Sequence, residues 1–192
     1  LMAEIKDYWQ NYIDGVWADG GAGRINVCNP ATGSLLASHA LADAGDVDRA
    51  VQAAKRVHRS GALRDMRPIE RGRLVQAMGR YLIEHKDEIA RILTLEQGKP
   101  LWEAAIEVDG AALYFEYYGN QASTVEGRSI TLGAGYFDWR EHEQLGISAQ
   151  IIPWNYPLEM TARSLSAALA TGNACVIKTP ELTPLANAWF AH

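Results

Sequence analysis

The chain has 192 residues, 48% of them hydrophobic and 21% charged, with a formal net charge of -5. That balance suits one globular domain, or one domain with a small attachment, and is long enough to bury a core. It excludes the clustered basic surface of a nucleic-acid binder, and no run approaches the roughly 18 apolar residues that span a membrane.

The first stretch, LMAEIKDYWQ, has no apolar signal-peptide core, so a cytoplasmic location is expected. Two cysteines, Cys28 and Cys175, are too few for a disulfide framework, and the scattered histidines have no metal-ligand spacing. No metal site is expected. NYIDGVW (11–17) reads as a hairpin, because Asp14-Gly15 is a favoured two-residue turn between apolar flanks. A Gly-rich link leads to RINVCNPATGSLLAS, a second strand pair turning between Asn29 and Gly33.

Helices follow. In DVDRAVQAAKRV (46–57), Val47, Ala50, Val51, Ala54 and Val57 fall on one helical face. Asp46 and Asp48 suit its first turn, and Lys55 and Arg56 its end. RPIERGRLVQAMGRYLIEH carries Pro68 near its first position, with Leu74, Val75, Met78, Tyr81 and Leu82 as its stripe. KDEIARILTLEQG ends at Gly98 with Pro100 beyond, a stop signature. A fourth helix, from about Leu101 to Gln121, is aromatic enough to predict extensive burial.

The period then changes. GRSITLGAGYFDWREHEQLG alternates about Gly133 and Gly135, a long ribbon whose Tyr136, Asp138, Arg140 and His142 suggest one face in water or on a partner. GISAQII is an apolar strand, PLEMTARSLSAALATG a helix, and ACVIK a strand. TPLANAWFAH opens another helix, with Thr183 expected as its N-cap and Pro184 in its first turn. Strand, helix, strand and helix within about 45 residues form a βαβ unit with parallel strands and a right-handed crossover. A parallel sheet buried on both faces needs more than two strands, so the expectation is the front part of a larger α/β fold.

Several chemical motifs fail on inspection. EQGKP has the Gly-Lys of a phosphate loop, but Leu93 stands where the earlier glycine belongs and Pro100 where a magnesium-binding hydroxyl belongs. It reads as a helix cap. No G-x-G-x-x-G fingerprint and no G-x-S-x-G elbow occurs. What stands out is IIPWNYP (151–157), at the carboxyl end of the first parallel strand, where open α/β sheets bind ligands. Pro153 and Pro157 stiffen this loop, and an amide held there, on Asn155, can donate to a developing oxyanion. A rigid strand-to-helix turn with two packed aromatics accounts for the residues alone at least as well. The next strand exit, IKTPE, offers Lys178 and Glu181, which could grip nucleotide hydroxyls and phosphates or stand solvated in a loop.

IIPWNYPLEM…ALATGNACVIKTPELTPL closely resembles the NAD(P)-dependent aldehyde dehydrogenase superfamily, with its P-W-N-[YF]-P, A-L-A-x-G-N and K-x-x-E motifs in order. YIDGVW, CNPATG, LTLEQGKPLWEA and VEGRSI are similar to its N-terminal landmarks, so the resemblance covers essentially the whole chain. It implies the N-terminal part of a Rossmann-like dinucleotide-binding domain (1–126 and 146–192). It also implies a projecting oligomerisation hairpin (127–145), with the catalytic domain outside these residues.

By that resemblance, Asn155 would be the side-chain half of the oxyanion hole, paired with the backbone N–H of a catalytic cysteine. Ile152, Pro153 and Trp154 would lie along the cofactor, and Lys178 and Glu181 would bind the adenosine ribose. A carboxylate at Glu181 would repel a 2′-phosphate, which favours NAD over NADP. Tyr156, Met160 and Arg163 match the family's aldehyde tunnel, although Glu159 and Arg163 depart from the apolar residues common there. The family's cysteine attacks the aldehyde, hydride leaves, and a glutamate activates water against the thioester. Both of those residues belong downstream of His192.

Cys28 and Cys175 lack neighbours that would lower a thiol pKa, so neither is expected to be the nucleophile and the chain alone is expected to be inactive. An aldehyde substrate and a homo-oligomer, dimer or tetramer, are implied for the full-length enzyme, with no nucleic acid or membrane partner. The alternative is a non-catalytic truncated or split relative that binds nucleotide or a partner chain.

Overall fold

The computed structural model describes residues 5–192; residues 1–4 of the LMAEIKDYWQ stretch lie outside it. The first hairpin pairs β2 (Asn11–Ile13) with β3 (Val16–Ala18), following β1 (Tyr8–Trp9). Asp14 and Gly15 both take positive φ, 56° and 79°, the twist a two-residue hairpin turn requires. β4 (Arg24–Cys28) pairs antiparallel with β5 (Leu35–Ala40), and β1 lies parallel on the other side of β5. β1 has too few residues to display a period, which is why the sequence does not announce it.

α1 (Ala44–Ser60) starts two residues before the expected Asp46. Asp43 caps it, and Asp46 returns the favour by accepting from the Asp43 N–H, a reciprocal capping box. Of its expected apolar face, Ala54 is buried beside Ala53, but Val47 and Val57 remain exposed. α2 (Pro68–Glu84) and α3 (Lys86–Gln97) meet at His85. α3 stops at Gly98, whose left-handed φ of 85° lets its N–H reach the Thr94 carbonyl at 2.9 Å. EQGKP is thus a helix terminus, as the missing phosphate-loop residues implied.

α4 (Leu101–Gln121) corrects an expectation. One face is buried through Ala104, Val108, Ala111 and Phe115, while Trp102, Ile106, Leu113 and Tyr117 form an exposed apolar stripe. Composition reports how apolar a helix is; neighbouring elements decide which apolar face is covered. The buried face contributes to a core that includes Leu82, Ile89, Leu93, Leu158 and Leu185.

α2 and α4 pack with their backbones close because glycines face each other. A Cβ added to Gly72 would lie 2.3 Å from the Gly119 carbonyl oxygen. Gly72→Ala is therefore expected to destabilise the protein by about 1–3 kcal/mol despite alanine's higher helix propensity. Thermal or urea unfolding measures this; an unchanged or raised midpoint would contradict backbone contact as the reason for the glycine.

The expected long ribbon is short. β6 (Arg128–Ile130) and β7 (Asp138–Arg140) share three residue pairs, and 131–137 form an open turn with Gly133 and Gly135 at positive φ. Tyr136, Phe137 and Trp139 on it are 71%, 89% and 66% exposed.

β8 (Ile147–Ile151), α5 (Pro157–Ala170) and β9 (Ala174–Lys178) form the expected βαβ unit. The strands are parallel, with Ile147 opposite Ala174 and Ile151 opposite Lys178. The sheet has two strands within the described residues, and Ile151 is 81% exposed at its end. No helix of the described residues is long and apolar enough to cross a membrane.

α6 (Leu185–Ala191) follows, but Thr183 does not cap it. The Thr183 hydroxyl instead donates to the Trp154 carbonyl at 3.1 Å. The cap comes from α3: the Glu96 carboxylate accepts from the N–H groups of Leu185 and Ala186, at 2.6 and 2.9 Å.

Candidate active site at the strand exits

The two parallel strands end side by side, and their exits are tied together. The Ile152 N–H donates to the Lys178 carbonyl at 3.1 Å, extending the β8–β9 ladder by one step. Thr183 reaches back to Trp154 as described. These links hold Trp154, Glu181, Leu182 and Thr183 along one rim of a cleft of about 320 Å³. The opposite walls are β4 residues, including Val27 and Cys28, and Glu96 and Gln97 at the end of α3. The crevice lies beyond the carboxyl ends of parallel strands, where an open α/β sheet leaves room for a ligand.

Ile152 is buried, Pro153 and Asn155 are exposed, and Trp154 is 55% exposed beside the cleft. Pro157 opens α5, and this proline costs nothing there because the first helical N–H needs no intrahelical partner. The remaining orphan donors are served from α4. The Glu107 carboxylate accepts from the N–H groups of Leu158 at 3.0 Å and Glu159 at 3.3 Å. Negative charge at a helix N-terminus is also favoured by the helix dipole.

Glu107 is fully buried and forms an ion pair with Lys99, whose side chain is 4% exposed. Lys99 in turn donates to the Asn155 carbonyl at 3.1 Å and stands 3.8 Å from the centre of the Tyr156 ring. Gln97 donates to the same Asn155 carbonyl at 2.5 Å. Two helices and the loop between them therefore converge on IIPWNYP.

Tyr156, the N-cap of α5, and Met160 and Arg163 within it fall at steps of four and three, so they lie on one side of the helix. Tyr156 and Met160 are half-buried and Arg163 is exposed. The Tyr156 hydroxyl donates to Glu103 at 2.6 Å, and this bond to a carboxylate raises its pKa. Burial and the nearby Glu107 raise the Glu159 carboxyl, with Lys99 and Arg163 opposing. Lys178 and Glu181 pair with each other at the β9 exit, and the Lys178 ammonium holds the Glu181 carboxyl below the usual carboxylate range. Glu181 stays ionised at neutral pH and is exposed to an incoming hydroxyl donor.

Burial pushes Glu96 up to about 8, against the pull of the Ala186 and Leu185 N–H groups. Burial likewise pushes the Cys175 thiol up to about 11, the protonated and unreactive form at neutral pH. Cys28 is exposed on β4 and lines the cleft.

The structure brings Trp154, Glu181 and Thr183 to one cleft; Ile152, Pro153, Asn155 and Lys178 are not in its lining, and Tyr156, Met160 and Arg163 run away from the loop into α5. Sequence reading missed Glu96, Gln97, Lys99, Glu103 and Glu107. A signal existed for two of them: Glu96 follows Ile89 and Leu93, and Glu107 accompanies Ala104, Val108 and Ala111, each a carboxylate in register with a buried stripe.

Residues 17–192 match the model of the aldehyde dehydrogenase family. The chain is 38% identical over 185 residues to human retinal dehydrogenase 2, covering 95% of this chain and 36% of that protein. Horse mitochondrial aldehyde dehydrogenase is 35% identical over 188 residues, covering 96% of this chain and 38% of that protein. Among solved structures, PnpE in complex with nicotinamide adenine dinucleotide superimposes with a TM-score of 0.90 at 39% identity, over 94% of this chain and 37% of that one. The chain thus spans well under half the length of these relatives and corresponds to the N-terminal portion of their fold. It belongs to the aldehyde dehydrogenase family.

Proposed function

We propose that this chain supplies part of the cofactor site and the side-chain oxyanion donor of an enzyme that oxidises an aldehyde to a carboxylic acid with NAD. The observation carrying this reading is Asn155, exposed on a stiff loop at the exit of β8 with its backbone carbonyl held by Gln97 and Lys99. An amide pre-oriented there stabilises negative charge on a substrate oxygen without reorganising during the reaction. The nucleophile and the water-activating carboxylate belong to a segment beyond these 192 residues, and Cys28 and Cys175 do not replace them.

The residues present suit a dinucleotide. The cleft beyond the strand ends is walled by the exposed Trp154, while Lys178 and the ionised Glu181 face solvent at the neighbouring exit. Ile152, Pro153 and Trp154 would lie along the cofactor, and Lys178 and Glu181 would hold the adenosine ribose. NAD, when bound, accepts the hydride that leaves the substrate carbon. Glu181 accepts from a free ribose hydroxyl and repels a 2′-phosphate, which selects NAD over NADP. Tyr156, Met160 and Arg163 would line the aldehyde's approach along α5. The exposed aromatics of 127–145 support a role for that ribbon in homo-oligomer contacts, because an unpaired apolar ribbon is otherwise an aggregation hazard.

The test compares aldehyde oxidation and NAD and NADP titrations in the full-length enzyme with those of the 192-residue chain. Turnover is expected in the first alone, with tighter NAD than NADP binding, and Glu181→Gln should narrow that preference. Turnover by the isolated chain, or tighter NADP binding, would overturn the corresponding part of the assignment.

A further inference from the structure

Asn155 is useful as a donor only if its amide points one way, yet the residue is exposed on a loop. The positions its amide can reach are set by the Cα–Cβ bond, which the backbone dihedrals of that residue orient, and by the few staggered rotamers about it. Those two dihedrals are the rotations between the peptide plane before Asn155 and the plane after it. Both planes are gripped. The earlier one carries the Trp154 carbonyl, which accepts from the Thr183 hydroxyl at 3.1 Å. The later one carries the Asn155 carbonyl, which accepts from Gln97 at 2.5 Å and from Lys99 at 3.1 Å.

The three donors come from two places distant in sequence. Gln97 ends α3, Lys99 follows the left-handed Gly98, and Thr183 precedes α6. The turn at Gly98 reverses the chain so that residues on either side of it aim at one acceptor. Thr183 is 2% exposed and Lys99 6%, so neither anchor moves freely.

We propose that Gln97 and Thr183 are positioning residues for Asn155, with Lys99 sharing the acceptor of Gln97, and that they set the direction of its Cα–Cβ bond, and so the reach of its amide, by clamping the two peptide planes that flank it. This rests on the reading of Asn155 as the oxyanion donor. It adds that donor strength depends on side chains that act through the backbone of Asn155, although Gln97 and Thr183 also line the cleft. Misplacement by a fraction of the amide's own length weakens such a donor far more in the transition state than in the bound ground state.

The test uses Gln97→Ala and Thr183→Val in the full-length enzyme, alone and combined with Asn155→Ala. Lys99 is left intact because it also neutralises the buried Glu107. Each single variant is expected to lower kcat roughly tenfold. Thr183→Ser, which keeps the hydroxyl, is expected to restore kcat to within about twofold, and in the Asn155→Ala background Gln97→Ala should change kcat by less than about twofold.

An equal fall in both backgrounds would make Gln97 a merely structural residue and overturn the proposal. So would unchanged kcat in Gln97→Ala and Thr183→Val while Asn155→Ala remains impaired. If Asn155→Ala itself leaves kcat unchanged, the oxyanion reading fails first and this inference falls with it.

Discussion

Replacing Glu107 by alanine is expected to cost about 3–5 kcal/mol of folding stability. Two losses combine. Lys99, with a side chain 4% exposed, keeps its charge but loses its only carboxylate partner among the described residues. The Leu158 and Glu159 N–H groups lose their acceptor at the start of α5. Separating these contributions takes a second variant. Lys99→Met with Glu107→Leu removes the charge problem and leaves the uncapped helix end and the lost Lys99 bond to the Asn155 carbonyl, each worth about 1 kcal/mol. The double variant should therefore be more stable than Glu107→Ala alone, an ordering a simple count of lost contacts would reverse. Urea midpoints at constant m-value measure both. A cost for Glu107→Ala below about 1 kcal/mol would mean that water reaches Lys99 and that the pair is not buried in solution.

Asn155→Ala in the full-length enzyme is expected to lower kcat by roughly 10²–10³, the usual effect of deleting one oxyanion donor. Because the donor acts on charge that develops in the transition state, kcat and kcat/KM should fall together and KM for the aldehyde should change little. Folding stability should hardly move, since Asn155 is exposed and its backbone carbonyl, which receives Gln97 and Lys99, survives the substitution. That contrast with Glu107→Ala separates the residue that would do chemistry from the one that holds the scaffold. An unchanged kcat would remove Asn155 from the mechanism.

Much of the fold is legible because its signals are local. Asp14-Gly15 specifies its turn through positive φ, Gly98 stops α3, and apolar runs broken by PWNYP and TGN lay out β8, α5 and β9. The choice of the β8 exit as the candidate site follows from the same pattern, since parallel strands leave a crevice at their carboxyl ends. Where the pattern misleads, a neighbour is responsible. The apolar stripe of α4 is as periodic on its exposed side, at Trp102, Ile106, Leu113 and Tyr117, as on its buried one.

By itself, then, the sequence determined the order and type of the main elements, the family motifs, and Asn155, Lys178 and Glu181 as candidates. Only the tertiary structure decided what holds them. Glu96 caps α6 from 90 residues away, Glu107 caps α5 across 51, and Gln97 reaches Asn155 across 58. Thr183 sits where a local N-cap belongs, yet its hydroxyl serves Trp154, and a distant carboxylate takes its place. A helix end needs an acceptor, but nothing in the local chain states which element will bring it. That choice is made by packing, when a buried carboxylate and an orphan N–H each lose water and can recover a hydrogen bond only from the other.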